Sequence, residues 1–489
     1  MMQKSARAGW LAVLSAMGLT APAFGQERGL SAETTLEGAP DEARIATAGA
    51  GLETGLETGL ETGLETGLDK GLDTRLGAGL GAGPSAGAEA EAGRPREGQA
   101  SDEPPPASPP PPPVTPATPK PSVQARLVVS QFADMPVAGD ADSTLRYSGR
   151  ADAYVSVGGG PFGLDDSWQL NLRPEFTWGE TSNGAVGLIP NNTALFRPED
   201  AGDFDLGINV KKTWKDGTNL TLGKINSLDL VGTLPIVGSD GHYGFQNLGL
   251  AFPPTAVIPN TWIGALLEMP RDDWIYRVWV YDPDSQYERT GFETAFESGV
   301  AFLGAVTRIA RPGGKPGFYT LAVVGSTRTG PAVDILPSAL TPPPDGNFGD
   351  GQGELALQLS AYQFLGLNPR VRGKGWGIVA RVQGSLGDPT FLDYSGYFGI
   401  AGNPAKRPQD RFGLAYFQYS VTDELVDDIA FRLGIEDEQG VEAFYTLGLG
   451  GFDGVARGIE VTANVQVVDS AVAVRDLGVI GGVRVTAGF

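Results

Sequence analysis

The chain has 489 residues with no cysteine and one histidine, His242, which excludes disulfide frameworks, thiol nucleophiles and thiolate metal sites and leaves little for imidazole-based catalysis. A formal charge of −22, from 36 basic and 58 acidic residues, argues against a basic patch for nucleic acid or anionic headgroups. The acidity belongs to both parts of the chain: 9 basic and 16 acidic residues precede Val123, and 27 and 42 follow, a net of −15 there.

Residues 1–25 read as an export signal. Lys4 and Arg7 form the positive region, Trp10 to Leu19 the apolar run, and Ala21-Pro22-Ala23-Phe24-Gly25 the small residues of a cleavage site, placing the cut before Gln26. Residues 26–122 carry no core. Gly-Leu-Glu-Thr repeats four times from Gly51 to Thr66, so glycine weakens every helical turn, and a proline-rich run from Pro104 to Pro121 favours an extended spacer. This segment is expected to be a solvated periplasmic tether, or to fold on a periplasmic partner.

From Val123 the dominant period becomes two. Trp168, Leu170, Leu172, Phe176 and Trp178 alternate with Gln169, Asn171, Arg173, Glu175 and Thr177. His242 follows Asp240-Gly241, a turn-like context, and is expected to be an exposed or lumenal loop residue. Thr329 to Gly353 and Asp388 to Asp410 read as long loops, some of which fold into a lumen. Alternation returns at Ile378 to Gln383, at Phe431 to Glu436, at Ile459 to Asp469, and at Val483 to the terminal Phe489.

A soluble sandwich and a membrane barrel both produce such patterns. Runs of about 9 to 11 residues match a tilted membrane crossing. Aromatic residues at run ends suit interfacial girdles, and an alternating last strand ending on an aromatic suits recognition by barrel-assembly machinery. The fold class is therefore all-β, a transmembrane outer-membrane antiparallel β-barrel over residues 123–489, in the envelope of a Gram-negative bacterium. About 16 strands fit the 367 residues, at roughly 23 per strand with its connections.

In the carboxyl-terminal third, Asp410-Arg411-Phe412-Gly413-Leu414-Ala415-Tyr416, then Glu438-Gln439-Gly440-Val441-Glu442-Ala443-Phe444-Tyr445, then Val465-Gln466-Val467-Val468-Asp469 resemble, in order and spacing, motifs of the carbohydrate-selective porin (OprB) family. Phe245 to Pro254 resembles that family's segment before the middle of the barrel. The resemblance covers about Tyr147 to Phe489 and implies a 16-stranded barrel passing monosaccharides, glucose among them, by facilitated diffusion. The repeat, the proline tract and Thr329 to Gly353 depart from the family pattern.

The alternation turns Arg173, Glu175, Arg381, Gln383, Arg432, Glu436, Glu442, Glu460, Gln466 and Arg484 toward the lumen. Such donors and acceptors exchange for a sugar's hydration, and mixed charges set a transverse field, although most lumenal charges only hydrate the wall or pair across strands. Glu436 and Glu442 are alternatively supports for the turn and pairing around their motif. The expected partners are small sugars, outer-membrane lipid and the assembly machinery at Phe489, with no cofactor, metal or nucleic acid. A general or ion-preferring porin and a purely structural tether are the competing functions. A hydrolase needs a nucleophile beside His242, and no nucleophile-elbow motif occurs.

Overall fold

A computed structural model describes residues 123–195, 203–251, 258–286, 290–329, 352–371, 373–387, 392–421, 434–452 and 456–489. The signal and the repeat and proline segments expected over residues 1–122 lie outside the described residues.

Sixteen strands form one closed antiparallel barrel in which each pairs with its sequence neighbours and the last closes on the first. They are β1 (Val123–Ala138), β2 (Arg146–Gly158), β3 (Trp168–Gly179), β4 (Asp203–Thr213), β5 (Asn219–Asn226), β6 (Thr261–Arg271), β7 (Trp274–Tyr281) and β8 (Ala301–Ala310). The second half comprises β9 (Gly317–Thr329), β10 (Gln352–Leu367), β11 (Gly375–Leu386), β12 (Leu392–Gly402), β13 (Arg411–Val421), β14 (Glu438–Phe452), β15 (Ala456–Asp469) and β16 (Gly478–Gly488). Two short helices, α1 (Ser227–Val231) and α2 (Leu248–Ala251), lie between β5 and β6. Among the described residues no helix is long and apolar enough to cross a membrane. Closure satisfies the backbone groups that lipid cannot, because no strand is left with a free edge.

The closing seam runs from Val128↔Gly488 to Ala138↔Val479, with a register shift between Pro136 and Ala138. Phe489 extends the seam: its N–H donates to Leu127 O over 2.8 Å while its ring remains exposed. The period-two pattern is realised as two faces. In β3, Arg173, Glu175 and Thr177 turn inward and are buried, whereas Phe176 is outward and 42% exposed. The outward set elsewhere is apolar, as with Tyr276, Val278 and Val280 of β7, Leu355 and Leu357 of β10, and Val483 and Val485 of β16. That inversion of a soluble core is what a lipid-facing surface requires.

Connections alternate in length. The end that holds the start of β1 and the finish of β16 has short turns, as between Arg271 and Trp274, and the long connections gather at the other end. Short turns mark the periplasmic side of such barrels. There Trp168 carries the Lys212 ammonium 4.7 Å from its ring centroid, and Trp274 carries the Arg308 guanidinium at 4.8 Å. Aromatic rings with cations at one rim match an interfacial belt.

Two expectations are corrected. Asp388 to Asp410 is not one loop: β12 occupies Leu392–Gly402, with its outward Phe398 and Ile400 interrupted by inward-facing small residues that weakened the apolar signal. The alternation at Phe431 to Glu436 does not make a regular strand over its described part. Only Ile435 forms an isolated bridge, to Val472, Glu436 is exposed, and β14 begins at Glu438. Residues 431–433, and with them Arg432, lie outside the described residues, as does most of Thr329 to Gly353.

Candidate functional site

Two segments turn back into the lumen from the long-loop end: residues 180–195, after β3, and residues 227–251, which carry α1 and α2. Their apolar side chains, among them Val186, Ile189, Leu228, Phe245, Leu248 and Leu250, are buried against inward-facing wall residues such as Phe417, Tyr419, Phe444, Val468 and Ile480. Phe245 meets Phe444 edge-to-face, with centroids 5.0 Å apart and planes at 88°. The inner segments thus have a hydrophobic core of their own inside a barrel whose outer face is greasy.

The segments are pinned by polar groups of the wall. Glu442, fully buried on β14, accepts the backbone N–H of Gln246 and of Asn247, each over 2.8 Å, and the Asn464 amide over 2.6 Å. Gln466 of β15 accepts from the Asn247 side chain at 3.0 Å and donates to Asn191 O at 2.8 Å. Glu438 accepts the N–H groups of Leu188, of Ile189 and of Ala471. From β16, Arg484 donates to Gly241 O and to Gly244 O, both over 3.0 Å. Backbone that leaves regular structure is tolerated at this depth because it is satisfied by side chains in a cavity.

Those two glycines allow the loop tip its shape. Gly241 and Gly244 have φ of +81° and +69°, and a Cβ on Gly244 would lie 2.7 Å from Ser239 Oγ. Between them His242 is driven into the wall. Its Nδ1 lies 2.8 Å from Ser130 Oγ of β1, its Nε2 contacts the Asp152 carboxylate of β2, and its carbonyl accepts from Thr486 of β16 over 3.1 Å. The expected loop residue is therefore a fully buried junction of three strands. Serine, histidine and aspartate meet here as in a nucleophilic triad, but all three are fully buried and Ser130 Oγ is also 2.7 Å from Thr486 Oγ1. No acyl group can approach that hydroxyl, so the arrangement fastens the loop.

Beside this junction lies a layer of charge on β2 to β5. Arg150 pairs with Asp152 at 3.1 Å and Glu175 at 2.8 Å; Arg173 pairs with Asp152 at 3.0 Å, Glu175 at 2.9 Å and Asp229 of α1 at 3.3 Å. Lys224 meets Asp205 at 2.6 Å. The side chain of Asn226 caps α1 by accepting from Leu228 N, which places Asp229 in the first turn, facing Arg173. Three cations and four carboxylates neutralise one another almost completely, so the field they send into the lumen is short-ranged.

Toward the periplasm a neutral ladder follows the charge layer on β2 to β4. Ser156 donates to Asn171 over 2.9 Å and Asn171 to Asn209 over 2.9 Å, a ladder of hydroxyl and amide groups across β2, β3 and β4. On the facing strands, Arg277 is held by Glu268 at 2.8 Å and Thr307 at 3.0 Å, and at the long-loop end Arg328 is held by Glu354 at 2.9 Å. Trp262 of β6 packs on Trp279 and Tyr281 of β7, at 5.8 Å and 5.0 Å between centroids. On β11, Arg381 lies 4.7 Å from the centroid of Tyr397, whose hydroxyl is 2.9 Å from that of Tyr362.

A family model described as carbohydrate-selective porin, OprB family, matches residues 208–489, more than half of the chain. The chain belongs to the OprB family. Among solved structures it is similar to the high-pH structure of Pseudomonas putida OprB, at 15% identity over 75% of this chain and 94% of that one, with a TM-score of 0.61. Acinetobacter baumannii OccAB3 shares 10% identity over 75% of this chain and 99% of its own, with a TM-score of 0.39. No curated protein matches the chain. Family and fold together make the chain an outer-membrane porin of a Gram-negative bacterium and point to a channel rather than an enzyme.

In this OprB-family barrel the residues singled out from sequence separate into three groups. Arg173 and Glu175 stand together in the charge layer. Glu442, Gln466 and Arg484 face inward but are committed to the inner segments, while Glu460 pairs with Arg411 at 3.0 Å. Arg381 and Gln383 stand apart on β11. Nothing in the local sequence pattern marks Arg150, Asp152, Asp205, Lys224, Asp229 and His242 as members of one site. Arg150 and Asp152 alternate with Gly149, Ala151 and Ala153, residues too small to register as an apolar face. The motif residue Asp410 is buried at the periplasmic rim, where it accepts from Arg407, from Tyr445 over 2.7 Å and from Gly448 N over 3.1 Å. Burial opposes its ionisation, but these hydrogen bonds outweigh it and hold the carboxyl below its ordinary range.

Proposed function

We propose that this barrel carries small carbohydrates, glucose among them, across the outer membrane by facilitated diffusion, through the lumen left beside the inner segments. The observation that carries this reading is the pairing of lumenal charge. Arg150, Arg173 and Lys224 are each neutralised within the wall, and a neutral Ser156–Asn171–Asn209 ladder continues toward the periplasm. A wall whose charges cancel locally attracts ions weakly, while its amides and hydroxyls exchange hydrogen bonds with a polyol at little net cost, which allows entry and release. Selectivity for sugars, rather than general solute passage, also follows from family membership.

Outer-membrane lipid contacts the apolar outer face in this reading, and the assembly machinery engages β16 through Phe489. The segment over residues 26–122 serves as a periplasmic tether, following an export signal over residues 1–25. The decisive measurement is planar-bilayer conductance of the purified protein with a panel of sugars as blockers. Saturable block by glucose or a related sugar is expected. Conductance without block by any sugar identifies a general or ion-preferring porin, and no conductance identifies a structural role.

A further inference from the structure

We infer that the lumen holds a binding site for a carboxylate-bearing sugar, formed by Arg381 and Gln383 of β11 beside Tyr397 of β12. This rests on the carbohydrate reading above and specifies its substrate class.

The first observation is an uncompensated cation. Arg150, Arg173, Arg277, Arg328 and Arg411 each hold a carboxylate, and Arg484 holds two carbonyls. Arg381 faces inward and is 6% exposed, and its guanidinium meets the Tyr397 ring but no carboxylate or carbonyl among the described residues. The second is independent. Gln383, two residues along the same face, is 1% exposed, and both its Oε1 and Nε2 are buried without a hydrogen-bond partner among the described residues.

Buried polar groups are almost always satisfied, so the orphaned Gln383 amide, beside a guanidinium that no carboxylate neutralises among the described residues, points to a ligand that supplies what is missing. The demand has a definite chemistry. A guanidinium is a donor only and is best met by a carboxylate, in a charge-assisted pair. A primary amide needs both an acceptor and a donor, which a hydroxyl provides. Positions i and i+2 of a strand are roughly 7 Å apart. A sugar acid such as a hexuronate spans that distance with its carboxylate at one end and hydroxyls at the other. A neutral sugar leaves the cation unpaired, and a simple inorganic or acyl anion leaves the amide unmet. Across β10 the register sets Ser360 opposite Arg381 and Gln358 opposite Gln383, adding neutral groups and no competing carboxylate. The net charge of the barrel does not oppose this, because fields from charges more than about 10 Å away are screened at ordinary ionic strength.

The test is current block of the full-length porin in planar bilayers by glucuronate, glucose and acetate. Glucuronate is expected to block at roughly tenfold lower concentration than glucose, with acetate ineffective in that range. Arg381→Gln is expected to remove the glucuronate advantage, and Gln383→Leu to weaken glucuronate block in a barrel that still migrates as folded before heating. Glucuronate block no stronger than glucose block in the parent protein overturns this site and leaves the carbohydrate channel standing. So does an advantage that survives Arg381→Gln. Absence of block by either sugar overturns the carbohydrate reading itself. The comparison within the parent protein decides the matter even if a variant fails to assemble.

Discussion

Glu442→Ala separates the barrel from what fills it. The carboxylate takes two backbone N–H groups of the β5–β6 connection and the Asn464 amide, all in a fully buried position. Alanine leaves three buried donors without an acceptor. At about 1–3 kcal/mol for each orphaned donor, with some relief from lumenal water, the inner segment loses roughly 3–6 kcal/mol of local stability. Each 1.4 kcal/mol is a factor of ten, so the population of barrels with the segment detached rises by about 10²- to 10⁴-fold. The wall is spared, because β14 keeps its backbone pairing with β13 and β15. The expected result is higher and noisier single-channel conductance, weaker sugar block and unchanged heat-modifiable migration. Glu442→Gln, which keeps one acceptor oxygen but turns an NH₂ toward the backbone donors, is expected to fall between. Parental conductance and block in Glu442→Ala would refute the claim that this carboxylate holds the inner segment in the conducting path.

Three further outcomes are expected. Arg173→Ala leaves Asp152, Glu175 and Asp229 with one cation fewer, and breaking such a buried pair costs about 3–5 kcal/mol locally. Reversal potentials in a salt gradient should then show cation preference rising roughly two- to threefold, and an unchanged ratio would mean that the charge layer does not face the conducting path. Asp410→Asn should loosen the periplasmic turn before β13. Because the Asp410 carboxyl is held below its ordinary range, its contribution is present above the unfolded value of about 4 and lost as pH falls through the lower folded value, so hydrogen exchange in the parent turn should rise only in that acid window. Deleting residues 26–122 with the signal retained should leave a folded, conducting barrel; failure of assembly would assign the segment a part in folding.

The fold was legible because lipid imposes one rule on every strand. Wherever the outward set was large and apolar, as at Leu170, Leu172 and Phe176 or Val461, Val465 and Val467, period two was clear, and β3 and β15 appear where the pattern placed them. It failed where glycine or alanine held the outward or inward positions, as in β12, and where a short alternation lay beside a turn, as at Ile435. Site residues were legible only as to face. Arg173, Glu175, Arg381, Gln383, Glu442 and Arg484 all turn inward, but alternation carries no information about partners. Asp152 meets His242 across 90 positions of sequence and Glu442 meets Asn247 across 195, and no local pattern reports such distances.

The sequence by itself determined the membrane-facing architecture, since backbone satisfaction in lipid leaves a chain with alternating strands and no apolar helix one solution, a closed barrel. Motif order along the last third added the family. Only the tertiary structure decided which lumenal groups are committed and which are open. That depends on where the 180–195 and 227–251 segments come to rest, and their position is set by buried donors and acceptors finding one another across the lumen. Glu442 and Arg484 are committed because backbone N–H and carbonyl groups of a loop arrive beside them. Arg381 and Gln383 stay uncommitted because, among the described residues, none does.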